Sequence, residues 1–201
     1  MFSIVIPLYN KAKSIANTIQ SILGQSFADF ELIIVDDGST DDSVQVVNQF
    51  TDKRIRLIQK ENGGVCSARN VGIKNSKYEY IALLDADDYW DKDFLLEASK
   101  LIEDFPQAAL WGINFAEIYE GKLIRELPTG LPKGFRGIVE DYFEMPEKMG
   151  RISDLFCSSS VVIRKSIFDH TGMFDERLKY SEDIDMWYRI FVDYPVVFYD
   201  K

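Results

Sequence analysis

Histidine, cysteine and long apolar runs are what this chain has least of. Its 201 residues hold one histidine, His170, and two cysteines, Cys66 and Cys157. Two such cysteines make neither a disulfide framework nor a metal motif, and they read as small buried residues of a reducing cytoplasm. No apolar run approaches the ~20 residues that a membrane span needs. The N-terminus, Met1-Phe2-Ser3-Ile4-Val5, lacks the charged n-region of a signal peptide. Positive charge is scarce relative to negative: the net charge of −10 argues against a nucleic-acid partner. A small anionic ligand stays open, because a bound cation and backbone N–H groups create a local positive site. Gly-x-Gly-x-x-Gly is missing after the first strand, where Pro7-Leu8-Tyr9-Asn10 stands, and this disfavours a dinucleotide oxidoreductase. A nucleotidyltransferase would want a basic, glycine-rich loop there, and Lys11 and Lys13 are thin support for one. No repeat, low-complexity tract or linker is visible. With 46% hydrophobic residues, the length suits one core and one domain.

What the chain does have is acid in one place. In Tyr80-Ile81-Ala82-Leu83-Leu84-Asp85-Ala86-Asp87-Asp88-Tyr89-Trp90 a short apolar run ends in three aspartates. Such a run reads as a strand buried on both faces, and its polar end must leave the core. The acids then sit at the carboxyl end of a central strand, the edge where open α/β sheets bind ligands. Carboxylates so close repel one another, and a divalent cation shared with a substrate phosphate would offset that. The competing reading is a helix-cap cluster, with Asp91 as the cap.

The first half alternates strand and helix. Phe2 to Ile6 and Glu31 to Val35 read as buried strands and Ile55 to Ile58 as a third short strand, with the acidic run as a fourth. Helices are expected at Ser14 to Leu23, after a Thr40 or Asp41 cap, around Ala68 and Val71, and from Phe94 to Phe105, where Pro106 stops the last. Four strand–helix repeats imply a parallel sheet with right-handed crossovers. The loops holding Tyr9-Asn10, Asp36-Asp37, Asn62-Gly63-Gly64 and Asp85 to Asp88 would then share one edge. The second half predicts a strand at Ala108 to Ile113, a hairpin about Glu120-Gly121 and a loop from Leu127 to Gly137. A weak helix at Ile138 to Met149, a strand at Cys157 to Ile163 and a short helix at Lys165 to Phe168 follow. Ser181-Glu182-Asp183-Ile184-Asp185 opens a helix ended by Pro195, and Val196 to Tyr199 is a last strand.

These segments resemble the inverting, nucleotide-sugar-dependent glycosyltransferases of family 2, which have the GT-A fold. The resemblance lies in Ile4 to Asn10, Val35 to Asp41, Asn62 to Asn70, Asp85-Ala86-Asp87-Asp88, and Gly172 to Glu176 followed by Ser181 to Trp187, all in the family's order. It implies a Rossmann-like, mostly parallel sheet flanked by helices, with residues 1–106 as a donor half and 107–201 as a mixed acceptor half. It also implies an Mn2+ or Mg2+ cofactor, a UDP-type donor sugar and a glycan or lipid-linked acceptor in cell-surface polysaccharide synthesis. By resemblance the metal falls to Asp87 and Asp88 with Asp85 in its shell. Pro7, Tyr9, Asp37, Asn62, Arg69, Asp85 and Asp87 fall to the donor, Asp37 accepting from the pyrimidine N–H. Asp183 is implied as the base that deprotonates the acceptor hydroxyl, with Glu182 assisting. Simpler readings stand beside these. Asp36-Asp37 also suits a turn, Tyr9 or Trp187 the core, Arg69 a helix surface, and Ser181 to Asp185 an acid-rich first turn. His170 receives no role, since it lies before the Glu-Asp pair. Family members continue beyond the position of Lys201, so a C-terminally truncated domain or a binding module without turnover is the alternative. The expected location is cytoplasmic, with peripheral contact to the inner membrane face left open.

Overall fold

The computed structural model of the protein describes residues 1–119, 122–126, 131–140 and 155–201. The first half runs β1 (Phe2–Leu8), α1 (Ile15–Leu23), β2 (Phe30–Asp36), α2 (Ser43–Val47), β3 (Ile55–Gln59), α3 (Val65–Asn75), β4 (Tyr80–Leu83) and α4 (Phe94–Asp104). These are the four expected repeats. The second half contributes β5 (Leu110–Ile113), β6 (Ala116–Tyr119), β7 (Lys122–Glu126), β8 (Arg136–Ile138), β9 (Val161–Arg164), α5 (Phe168–Thr171), α6 (Glu182–Asp193) and β10 (Val196–Tyr199).

Among the described residues, eight strands form one sheet in the order β3-β2-β1-β4-β9-β5-β10-β8, and β6 pairs with β7 apart from it. The first four strands are mutually parallel. β9 enters antiparallel between β4 and β5, β10 lies parallel to β5, and β8 closes the edge antiparallel. Alternation along β1 sends Ile4, Ile6 and Leu8 to the face covered by α1 and α4, and Val5 to the face carrying α3 and α6. β1 and β2 are buried almost throughout because they are covered on both faces.

Several local expectations change. Asp91 does not cap α4. The cap position is Asp93, whose side chain makes no capping bond. Gln25 does that work from outside: its Oε1 accepts from the Leu95 N–H at 3.0 Å and its Nε2 donates to the Asp91 carbonyl at 2.8 Å. The strand expected from Cys157 begins only at Val161, because Ser158–Ser160 forms a 3-10 turn. Ser181 stands at the cap of α6 in the left-handed region, φ 58°, and its hydroxyl makes no capping bond. Trp187 is core, at 0% exposure, and Arg69 is no surface cation, at 2%. Ile138 ends a strand, and the rest of the helix expected to Met149 falls largely outside the described residues. So do the Glu120-Gly121 turn and residues 127–130. Among the described residues, no helix is long and apolar enough to cross a membrane.

Candidate functional site

The loops leaving the carboxyl ends of β1, β2, β3 and β4 meet in a cleft of about 470 Å3. Its lining includes Pro7, Tyr9, Lys11, Asp37, Asn62, Arg69, Asp85, Asp87 and Glu182. All the residues assigned to the donor by sequence are therefore brought together, with Glu182 from the distant α6. Asp88 and Asp183 are not part of that lining.

The walls are built by turns that hold one another. Asn10, left-handed at φ 52°, donates its N–H to Ser39 Oγ at 3.0 Å, and its Oδ1 accepts from the Thr40 N–H at 2.8 Å. This ties the β1 turn to the β2 turn and leaves Tyr9 48% exposed at the cleft, not in the core. Gly38 has φ +75°, and a Cβ there would meet Asn62 N at 2.9 Å, so the β2 turn needs glycine both for its backbone and for its neighbour. Asp37 is buried and already heavily bonded. Its carboxylate accepts from Lys60 Nζ at 2.5 Å, Gly63 N at 3.0 Å and Gly64 N at 2.7 Å. Four lone-pair directions minus these three bonds leave about one for a ligand. Asn62 donates to the Asp37 carbonyl at 2.9 Å.

The three acids after β4 point to different partners. Asp85 Oδ1 accepts from Arg69 at 2.8 Å, Asp87 pairs with Lys11, and Asp88 Oδ2 accepts from Ser159 Oγ at 2.5 Å. Among the described residues no three acidic, cysteine or histidine side chains converge as a ready metal cluster. Their mutual repulsion is here offset by Arg69, Lys11 and Ser159. Ser159 was not legible as a site residue, although a Ser-Ser-Ser run ahead of an apolar strand was its signal. Its Oγ also accepts from the Asp85 N–H at 3.1 Å, and its carbonyl accepts from Trp90 Nε1 at 2.6 Å. It therefore braces the acidic turn from the 3-10 turn ahead of β9. Desolvation raises the Asp88 carboxyl above the ordinary aspartate range, against the Ser159 hydrogen bond, and Asp85 and Asp87 add to the rise.

On the opposite wall, Glu182 Oε1 accepts from Arg69 Nη1 at 2.8 Å. Asp183 is half-buried, and its Oδ1 accepts from the Ile184 N–H at 2.8 Å. Desolvation raises its carboxyl too, with the charge of Glu182 adding and the Ile184 hydrogen bond opposing. A carboxylate raised in this way is a stronger base than a solvated one. Asp185 is spent on Arg189 at 2.7 Å.

The cleft's chemistry suits a hard cation and an anion together. Asp87 is half-exposed, and among the described residues its salt-bridge partner is Lys11, itself 42% exposed, so its oxygens are open to exchange. With Asp85 it offers carboxylate oxygens, the donors that Mg2+ and Mn2+ take, the remainder of such a shell coming from phosphate oxygens and water.

A profile of glycosyl transferase family 2 matches residues 3–171. An uncharacterized glycosyltransferase of Rickettsia felis is 34% identical over 196 residues, covering 94% of this chain and 30% of its own length. One of Rickettsia prowazekii is 30% identical over 201 residues, covering 95% of this chain and 58% of its own. The chain thus spans less than two thirds of either relative. Among solved structures, TarS 1–349 of S. aureus in complex with UDP-GlcNAc superposes with a TM-score of 0.81 at 24% identity, over 100% of this chain and 56% of that one. The mannosyltransferase PcManGT of Pyrobaculum calidifontis, in complex with GDP-Man and Mn2+, gives 0.71 at 18%, over 97% and 53%. At these identities the likeness is one of fold, a mostly parallel sheet flanked by helices.

Proposed function

The chain belongs to glycosyl transferase family 2, with the GT-A fold, and on that premise we propose that it moves a sugar from a UDP-sugar donor to an acceptor hydroxyl. The hydroxyl belongs to a glycan or lipid-linked acceptor in cell-surface polysaccharide synthesis, and the anomeric centre inverts. The observation that carries this reading is the composition of the cleft. Residues from all five family segments, scattered between Pro7 and Glu182, line or border one volume at the carboxyl edge of the sheet.

Tyr9 supplies an exposed ring for the base to stack on, and Asn62 and the remaining lone pair of Asp37 offer polar contacts to its edge. Asp87, with Asp85 and Asp88 around it, would hold Mn2+ or Mg2+. A cation held by these carboxylates would supply positive charge against the negative charge that builds on the departing diphosphate. Lys11, already at Asp87, brings a second positive charge to the same phosphates. Asp183 takes the proton of the acceptor hydroxyl as that oxygen attacks the face opposite the diphosphate, and its desolvation favours proton uptake. Glu182 orients the acceptor from the cleft wall.

Calorimetric titration of UDP, GDP, dTDP and NAD, with and without manganese, tests the donor half. The expected result is UDP binding that requires manganese and is lost in Asp87→Ala. Absence of UDP and dTDP binding under all conditions overturns the reading. A panel of UDP-sugars assayed for hydrolysis, with Asp183→Asn as control, then tests turnover.

A further inference from the structure

Arg69 and Asn70 are consecutive on α3, and both reach out of the donor half. Arg69 is 2% exposed and Asn70 3%. The guanidinium of Arg69 donates from Nη2 to Asp85 and from Nη1 to Glu182, each at 2.8 Å. One carboxylate follows β4, and the other opens α6, 113 residues along the chain from Arg69. The guanidinium also lies 5.4 Å from the centre of the Phe174 ring. Asn70 fixes that ring's backbone from both sides. Its Nδ2 donates to the Phe174 carbonyl at 2.9 Å, and its Oδ1 accepts from the Phe174 N–H at 3.0 Å. The same Nδ2 meets Glu176 Oε1 at 3.0 Å. Burying an arginine is costly unless its charge is met, and a forked, planar group is the one that can meet two carboxylates in fixed directions.

Resting on the sugar-transfer reading above, we propose that Arg69 is a positioning residue. It holds Asp85 on the donor floor and Glu182 on the acceptor wall at one separation, while Asn70 and Phe174 hold Arg69. A nucleotide-sugar and a hydroxyl acceptor react only when both are fixed relative to each other, and a small misplacement is expensive in rate. The bridge makes the two walls one unit before either substrate arrives. This departs from the donor contact that the resemblance implies for Arg69: both its Nη groups are spent on Asp85 and Glu182, so its work is done on the reacting pair and not on nucleotide affinity.

Wild type, Arg69→Met, Glu182→Gln and the double variant are compared in UDP–manganese calorimetry and in hydrolysis of the best UDP-sugar. In Arg69→Met, UDP affinity stays within about threefold of wild type while kcat falls about tenfold or more. Glu182→Gln then adds little in the Arg69→Met background, since members of one network do not act additively. The proposal is overturned if Arg69→Met weakens UDP binding about tenfold or more with kcat kept at saturation, for then Arg69 contacts the nucleotide. The buried Nε, which has no acceptor among the described residues, is the group such a contact would use. It is equally overturned if the kcat losses of the single variants multiply. If Arg69→Met does not fold, Arg69→Lys carries the same test, because one ammonium cannot reproduce the fork. If wild type binds no UDP, the transferase reading fails by itself. Thermal unfolding of the same proteins then decides the bridge: non-additive shifts in Tm support it, and additive shifts reject it.

Discussion

Single side chains in this cleft serve stability and chemistry at once, and the two can be separated by measurement. Asp183 carries a carboxyl raised above its ordinary value of 3.8, chiefly by desolvation. A base works only when ionised, so turnover is expected to rise with pH through that raised value, placing the acid limb above that of a solvated aspartate. The stability consequence has the opposite sign. Between the unfolded and folded values the native state holds a proton that the unfolded chain has released, so stability falls as pH rises there and stays lower above it. Asp183→Asn is therefore expected to keep or raise Tm at neutral pH while lowering kcat by about 10²-fold or more, as loss of a general base does. Differential scanning calorimetry and a UDP-sugar assay check the two halves of that statement. Asp37 is the reverse case. Its role was read from sequence as contact with a pyrimidine, yet its carboxylate already receives Lys60, Gly63 and Gly64. Asp37→Asn is expected to cost about 2 kcal/mol in urea unfolding with no nucleotide present, the scale of hydrogen bonds to a charged group. An unchanged urea midpoint would leave nucleotide binding as its main work. These bonds were illegible in the sequence because they join turns 23 to 27 residues apart.

Among the elements, α3 is the one on which the site depends. Gly64, φ +88°, is the residue before its first turn, and the Gly63 and Gly64 N–H groups donate to Asp37. The helix carries Arg69 and Asn70 in its middle and lies against β1. The closeness of that packing is set by Gly72, where a Cβ would fall 2.3 Å from Val5 Cγ1. Gly72→Ala is expected to destabilise by about 1–3 kcal/mol through overpacking, despite the better helix propensity of alanine. Val5→Ala in the same chain should recover part of the loss, and paired urea titrations measure the coupling. The existence of α3 was legible from Ala68 and Val71, since helical spacing is local. Its function as a bridge was not, because Asp85 and Glu182 enter from elsewhere in the chain. The Ser158–Ser160 turn was missed for the same reason. The apolar run after it reads as strand, but Ser159 is held to the acidic turn after β4, accepting from the Asp85 N–H and donating to Asp88.

At the scale of the whole molecule, the four repeats of the first half were legible because strand and helix patterns are local and alternate along the chain. The order of the second half was not, since β9 pairs with β4 and β5 across long stretches of sequence. The two larger apolar clusters take residues from each half: Ile4, Trp111 and Val197 lie in one, Val5, Phe156 and Trp187 in the other. The halves recognised in the sequence are thus parts of one sheet. Urea unfolding followed by the fluorescence of Trp90, Trp111 and Trp187 and by circular dichroism is expected to give a single coincident transition. A fragment of residues 1–106 is expected not to fold, for β4 would lose its neighbour. Two separated transitions would show the halves to be independent. The place of β9 also matters during synthesis. The edge of β4 leaves the ribosome with its N–H and C=O groups facing water, and its partner follows only when residues 161–164 emerge. At ~5–20 residues per second that is a wait of several seconds, during which a nascent chain carries an open template for strand pairing. Growth temperature and translation speed would then govern the yield of this protein more strongly than the stability of its finished sheet.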